Sequence, residues 1–281
     1  MKSIGSVDDK LVVEHDNFDE YLSYIKDTPI KSGNGKQSKK NPPKPKWDLN
    51  AGFDGAMELA RKGWPEGLKK INRARQLIDI PEHSDQSMQM RSFNAVSGDE
   101  VDVGLYLSGE PECMTDYQLK LTPSYGKVAK IIVNCVASCS VKAATMQHRG
   151  AAACILIDAL ESSGVRCEVW MLPTASEVFY SKVLVKKADQ HVEPDRMAFM
   201  LSHPAVLRRL AFKEQETYGG KVGQETKWGY GTPTDLPKEE QEEDGTIYFG
   251  RYYSGYDTEK DMVKTTNSLL AKYVETDLAV A

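Results

Sequence analysis

Apolar and polar positions fall into their most regular order between Lys127 and Leu172. An apolar block, Val128 to Val136, shows little polar alternation, which suits a central strand covered on both faces. The small polar run Ala137-Ser138-Cys139-Ser140 follows. A segment of small and apolar residues, Ala151 to Leu160, comes next, then a break at Ser162-Ser163-Gly164 and a second β-rich run, Val165 to Met171. The spacing predicts a strand over 130–136, a helix over 145–160 and a strand over 165–171. Ala144, Gly150, Ala151, Ala152 and Ala153 let that helix approach its sheet closely, and Gly164 supplies its C-terminal stop. A strand–helix–strand unit of this length implies a right-handed crossover and parallel strands.

Elsewhere the periods are shorter. Phe18, Tyr21, Leu22 and Ile25 mark one face of a peripheral helix within 12–28, with Asp16 or Asn17 as its cap. Phe53, Ala56, Met57, Leu59 and Ala60 form a second stripe, interrupted at Gly63-Trp64-Pro65. A further helix with Leu68, Ile71, Ala74, Leu77 and Ile78 starts at Pro65. Residues 80–94 show no period and read as an irregular connection. Residues 99–107 read as a short helix or an extended edge, and 117–122 as a strand ended by Pro123. A third core strand is expected over 178–187. A helix over 205–216 is expected to turn Val206, Leu207, Leu210 and Phe212 inward and Arg208 and Arg209 outward, with His203 in a capping or packing role. A last strand over 246–253 and a closing helix over 257–273 complete the pattern.

Residues 31–46 differ in kind. They hold Lys31, Lys36, Lys39, Lys40, Lys44 and Lys46 without an acid, amid glycine and proline, and end at Trp47. A solvated linker is one reading. A phosphate-contacting arm beside an aromatic, as single-strand binders use, is the other. The expected organisation is a peripheral helix segment (1–30), a flexible basic linker (31–46), a helical N-terminal part (47–122) and an α/β core with a C-terminal strand and helix (123–281).

Composition narrows the function classes. The net charge of −5 argues against non-specific coating of duplex DNA but leaves room for a local basic groove. The five cysteines are odd in number and contain no C-x-x-C pair. They are expected to be reduced and mostly buried, without structural zinc. No apolar run is long enough to span a membrane, and the N-terminus, which carries acids and lacks an apolar h-region, argues against a secretory signal, so a cytoplasmic protein is expected.

No phosphate loop, H-E-x-x-H, G-x-S-x-G or calcium-loop pattern is present, and no catalytic residue is assigned. The spacing that stands out is Ser138-Cys139-Ser140 after a buried strand, followed by Leu156, Ala159, Leu160, Gly164, Val165 and Val169. This unit resembles the opening of a von Willebrand factor A-type domain. In that family an aspartate-x-serine-x-serine loop at the end of the first strand helps hold a divalent metal. The serines fall on Ser138 and Ser140, and the aspartate falls on Val136, which offers no ligand. The resemblance implies an α/β fold with a mainly parallel sheet, helices on both faces, an N-terminal helical extension and a degenerate metal loop. No metal or cofactor is expected. The loop still lies where open α/β sheets bind partners. The large irregular connections are also similar to those of proteins of large DNA phages, which implies a phage-encoded protein acting in the host cytoplasm.

The leading expectation is a non-enzymatic nucleic-acid-associated protein that binds single-stranded DNA or recruits replication or transcription machinery, with a polymerase or another protein as partner. Its contact residues are the six lysines of the arm, Trp47, Lys69 and Arg73 on one helix face, and Trp228 and Tyr230 in a glycine-rich stretch. A protein–protein adaptor built on an A-type domain is the alternative. An enzyme assembled from the distant residues His148, Arg149, Asp158 and His203 is the third reading.

Overall fold

The computed structural model describes residues 3–7, 10–31, 37–78, 86–123, 128–191, 193–252 and 256–275. In chain order the elements are β1 (Ser3–Val7), β2 (Lys10–His15), α1 (Phe18–Asp27), the short turns α2 (Gln37–Lys40) and α3 (Pro45–Asp48), α4 (Gly52–Lys62) and α5 (Pro65–Arg75). Then come β3 (Gln86–Ala95), β4 (Glu100–Val101), α6 (Val103–Leu107) and β5 (Met114–Pro123). The second half holds β6 (Val128–Asn134), α7 (Ala143–Ser162), β7 (Arg166–Ala175), β8 (Phe179–Lys186) and α8 (Pro194–Ser202). A π-helical stretch, Val206–Ala211, runs into α9 (Phe212–Glu216). The chain then forms α10 (Gly220–Trp228), α11 (Lys238–Gln241), β9 (Thr246–Phe249) and α12 (Glu259–Leu270), with a π turn at Ala271–Glu275.

The six-stranded sheet has the order β1-β2-β8-β7-β6-β9. Its β6–β7, β6–β9 and β2–β8 pairs are parallel, while β1–β2 and β7–β8 are antiparallel. The expected strand–helix–strand unit is present as β6–α7–β7. Ile131 and Val133 of β6 and Val169 and Met171 of β7 lie in one core cluster with the apolar residues of α1, α4, α5, α7, α8 and α12. A helix apolar on nearly every side is buried on nearly every side. Accordingly α7 buries Ala151 to Ala153, Ile155 to Ile157, Ala159 and Leu160.

Helices on both faces were expected, but coverage is unequal. Ile132, Leu172 and Tyr180 on the second face meet Leu207, Ala211 and Leu236. The remainder of that face carries Lys130 and Lys182, which stay partly open and pair with Glu243 (2.6 Å) and with Glu14 and Glu240. The polar alternation at Lys130 in an otherwise apolar strand marks this half-solvated face.

Three segments depart from expectation. Residues 1–30 are not merely peripheral. The β2 strand joins the sheet beside β8, and α1, capped by Asn17 Oδ1 accepting the Glu20 N–H (2.8 Å), buries Phe18, Tyr21, Leu22 and Ile25 in the main core. That core runs from Phe18 to Leu270 and crosses the expected boundary at residue 123. Residues 86–95, expected to be irregular, form β3 and pair over ten residues with β5 as an antiparallel ribbon, so the stretch to 122 is not simply helical; the strand expected over 117–122 lies in β5, and 99–107 gives the edge strand β4 and the short helix α6. Gly150 meets helix rather than sheet, for a Cβ there would lie 2.2 Å from the Leu201 carbonyl oxygen.

The largest correction concerns residues 206–216. Arg208 and Arg209 do not face out. They are buried, together with Lys213, Glu214, Gln215 and Glu216. A charged helix survives inside a protein only when each charge finds a partner. Here Lys213 Nζ donates to the Thr28 carbonyl (2.5 Å), and Glu214 accepts from Ser181 (2.8 Å) and meets His15 Nε2 (3.1 Å).

Candidate functional site

The site grows from the C-terminal end of β6. Asn134, fully buried, turns the chain there. Its Oδ1 accepts the Val136 N–H (3.0 Å), while its Nδ2 donates to the Thr234 carbonyl (2.9 Å) and to Tyr248 Oη (3.2 Å). From α7, Arg149 reaches back and donates to the carbonyls of Asn134 (2.5 Å), Phe249 (2.6 Å) and Gly250. It thereby ties the ends of β6 and β9 together and fixes the loop that carries Ser138 to Ser140.

Over this loop lies the lysine tract, and it is no free linker. Residues 37–48 form a strap built from α2, α3 and the turn between them, with Ser38 and Asp48 fully buried. Arg209 donates to the carbonyls of Ser38 (3.0 Å), Asn41 (2.8 Å) and Pro42 (3.2 Å), and its Nε donates to Asp48 Oδ2 (2.7 Å). Asp48 also accepts the N–H groups of Lys44 (2.8 Å) and Gly52 (3.0 Å). Burial alone pushes the Asp48 carboxyl up. The Lys44 N–H, the Arg209 guanidinium and the Gly52 N–H outweigh that burial and hold it below its ordinary value. Arg208 clamps the strap to the β6 loop, donating to the carbonyls of Trp47 and of Val141 (2.7 Å). The Trp47 ring lies against both guanidinium groups, 4.7 Å from Arg209 and 5.7 Å from Arg208. Glu216 fastens the N-terminal end of the strap by accepting the Ser38 N–H (3.1 Å) and hydroxyl.

Between strap and sheet lies a cavity of about 430 Å³. Trp47, Phe212 and Tyr230 give it aromatic walls. Gln37, Asn41 and Gln215 supply amides, Ser138, Thr174 and Thr232 hydroxyls, and Arg208 a cation. Tyr230 stacks on Phe212 with ring centroids 3.9 Å apart and planes within 8°. Its hydroxyl donates to Glu216 (2.5 Å), and burial, then that carboxylate, push the phenol pKa up. Tyr230 also holds a left-handed backbone, φ +68°, which a non-glycine residue keeps only when its surroundings fix it. Thr174, at the end of β7, is 4% exposed, and its Oγ1 has no hydrogen-bond partner. A buried hydroxyl without a partner is costly, and this oxygen is closed off from solvent even though Thr174 lines the cavity.

The sequence-predicted residues divide. Trp47, Tyr230 and Ser138 line the cavity, and Ser140 donates its hydroxyl to Ser138 (3.2 Å). Lys39, Lys40, Lys44 and Lys46 are exposed on the strap, with Lys39 over the Phe53 ring (4.7 Å), and Lys31 is exposed just before it. Lys36 and the Trp228 side chain lie outside the described residues. Lys69 and Arg73 are exposed on α5, and Arg73 lines a separate cavity with Lys70 and His148. Arg208, Phe212, Gln215 and Thr174 were not foreseen.

The four residues of the enzymatic reading do not converge. Arg149 binds backbone carbonyls, His148 Nδ1 meets the Tyr256 carbonyl (2.9 Å) and Asp158 pairs with Arg75 (2.9 Å). His203 Nδ1 accepts the Ala205 N–H (3.1 Å) while its ring packs edge-on against Trp64. Burial lowers its pKa to about 4. Burial also pushes the Cys135, Cys154 and Cys167 thiols up to about 12, and Cys139 is exposed at the cavity rim. A hard cation needs anionic oxygen. The cavity offers hydroxyls and the Arg208 cation instead, and among the described residues no group of three or more His, Cys, Asp or Glu side chains is placed to hold a metal.

A comparison with known families matches residues 4–273 to the domain of unknown function DUF7192. The chain belongs to this family. No curated protein and no solved structure matches it. Among the described residues, no helix is long and apolar enough to cross a membrane.

Proposed function

We propose that this protein binds single-stranded nucleic acid, with the strap lysines on the phosphate backbone and one base in the cavity between strap and sheet. What carries this reading is a single arrangement. Trp47 sits on the segment that bears exposed Lys39, Lys40, Lys44 and Lys46, and it faces a cavity whose other aromatic walls are Phe212 and Tyr230. Aromatic faces beside a cationic track are the physical requirement for gripping unpaired bases, since every base has a π-face and every nucleotide a charge. The amides of Gln37, Asn41 and Gln215 and the hydroxyls of Ser138 and Thr232 supply hydrogen-bonding groups for a base edge. A cavity of this volume lies in the usual range for small-ligand sites, about 300–1,000 Å³.

In this reading the serine loop is a degenerate A-type loop put to another use. Val136 stands where a metal-binding member carries aspartate, and Ser138 faces the cavity instead of a cation. The reading fits a binding function without catalysis.

The test is fluorescence anisotropy with a labelled single strand and its duplex at low and near-physiological salt. The single strand is expected to bind more tightly, with log K falling by about 0.7 per phosphate contact for each unit of log salt. Replacing Trp47 with alanine is expected to cost about 1–3 kcal/mol, roughly 5- to 150-fold. Neutralising Lys39 and Lys40 is expected to flatten the salt slope. Absence of binding at low salt, or equal binding of duplex and single strand, overturns the proposal.

A further inference from the structure

The ribbon formed by β3, β4 and β5 carries a different chemistry from the strap. Between Arg91 and Lys120 the chain holds Asp99, Glu100, Asp102, Glu110, Glu112 and Asp116 and no lysine or arginine. This stretch alone is more negative than the whole chain, whose net charge is −5. The concentration of charge is felt locally. The Tyr117 phenol is pushed up, first by the charge of Glu100.

The same stretch exposes apolar side chains that a soluble surface ordinarily buries. Val96 is 72% exposed, Val103 63%, Tyr106 65% and Leu107 79%. Val103, Tyr106 and Leu107 stand at i, i+3 and i+4 and so share one face of α6. Their exposure does not come from a frayed segment. The Asp99 N–H donates to the Thr115 carbonyl (2.9 Å), the Asp102 N–H to the Cys113 carbonyl (2.8 Å), and Asp102 Oδ1 caps α6 by accepting the Leu105 N–H (3.1 Å). Gly98 lies so close to β5 that a Cβ there would be 2.4 Å from the Thr115 carbonyl oxygen. The turn is built, and it presents apolar groups flanked along the chain by exposed carboxylates, Asp99, Glu100 and Asp102 before them and Glu110 and Glu112 after. Such a patch marks an interaction surface.

We propose that this acidic ribbon docks a basic amphipathic segment of a protein partner, its cations against the carboxylates and its apolar face on Val103, Tyr106 and Leu107. Charge complementarity selects this occupant. A nucleic acid or an anionic lipid surface is repelled by the six carboxylates. A second copy's strap offers lysines, but among residues 37–48 the only large apolar side chain is the half-buried Trp47, held against Arg208 and Arg209, so the apolar half of the patch stays unmatched. The protein then holds two opposite surfaces, a cationic one for nucleic acid and an anionic one for protein. The second does not depend on the first.

The test uses the full chain and a fluorescein-labelled synthetic peptide with lysine and leucine at helical spacing, in about 150 mM salt, where weak surface attraction is screened beyond about 8 Å. A control peptide carries serine for leucine. The lysine–leucine peptide is expected to bind at least tenfold more tightly than the control. Amide resonance shifts in the labelled protein are expected within 93–117. Leu107→Ser, and separately Glu100→Lys with Glu110→Lys, are expected to weaken binding tenfold or more while leaving oligonucleotide binding and the circular-dichroism spectrum unchanged. All these side chains are exposed, so the variants are expected to fold. Equal binding of both peptides, unchanged binding by the variants, or resonance shifts outside the ribbon overturns the proposal. Concentration-dependent self-association in sedimentation that Leu107→Ser abolishes overturns it in favour of a second copy.

Discussion

Replacing Asp48 with asparagine leaves Arg209, itself fully buried, facing three backbone carbonyls and no carboxylate. Removing one partner of a buried ion pair costs about 3–5 kcal/mol, because the remaining charge keeps its desolvation penalty and loses its compensation. The asparagine carbonyl can still accept one of the lost hydrogen bonds, which places the cost near the lower end, about 3 kcal/mol. At roughly 2–4 °C per kcal/mol for a chain somewhat smaller than this one, the melting temperature is expected to fall by about 6–12 °C. If the strap detaches before the domain unfolds, part of that loss appears as local opening. Trypsin is then expected to cut at Lys39, Lys40 or Lys46, all exposed on a segment now released. Acidification supplies an internal control. The folded Asp48 carboxyl lies below its unfolded value, so its contribution is present above about pH 4 and is lost as the pH falls through the folded value. The gap between wild type and Asp48→Asn is expected to close on acidification below about pH 4. A variant that melts within about 2 °C of wild type at pH 7 and resists trypsin equally refutes the claim that this pair anchors the strap.

Three further outcomes follow from the packing of buried groups. Gly150→Ala places a methyl against the Leu201 carbonyl and Ser202, both backbone-fixed at the crossing of α7 and α8, and is expected to destabilise by about 1–3 kcal/mol in urea unfolding. His203 titrates near 4 when folded against about 6.5 unfolded, so the unfolded state binds the extra proton. Stability is expected to fall as the pH drops from about 6.5 toward 4, by up to about 3 kcal/mol, and His203→Gln is expected to flatten that limb of the acid-unfolding curve. Thr174→Val removes an unpartnered buried hydroxyl and is expected to raise the melting temperature slightly; a clear fall would show that the hydroxyl has a partner in solution.

The parts of the fold legible in the sequence are those where one period governs one face. The β6–α7–β7 unit, α1, α4 and α5 follow from apolar spacing, and Asn17, Pro65 and Gly164 mark their ends as local chemistry dictates. The π-helical stretch and α9 were legible as a helix but not in their burial. Arg208, Arg209, Lys213, Glu214 and Glu216 read as a solvated face, because nothing local reveals that backbone carbonyls and distant side chains will satisfy them. The strap misread has the same origin. Lysine, glycine and proline forbid an autonomous core there, yet its anchors lie about 170 residues further along the chain, on Arg209. The strand over 117–122 was legible, but its partner β3 escaped because it lacks a clean alternation of apolar and polar residues. It is held instead by ten register pairs with β5. Within the site, Trp47, Tyr230 and Ser138 stood out as isolated residues, and only the fold makes them neighbours of Phe212 and Thr174.

The manner in which the strap is held has one more consequence. Arg208 and Arg209 grip it chiefly by its main chain, through the carbonyls of Ser38, Asn41, Pro42 and Trp47, and Asp48 and Ser38 are the side chains that complete the hold. The lysines between these points take no part in the arginine anchorage. Anchorage and outward charge are thus written in different atoms of the same dozen residues. Residues 40, 44 and 46 can change in charge or length without removing any of these hydrogen bonds, and the charge the strap shows to solvent can be retuned while the strap itself stays where it is.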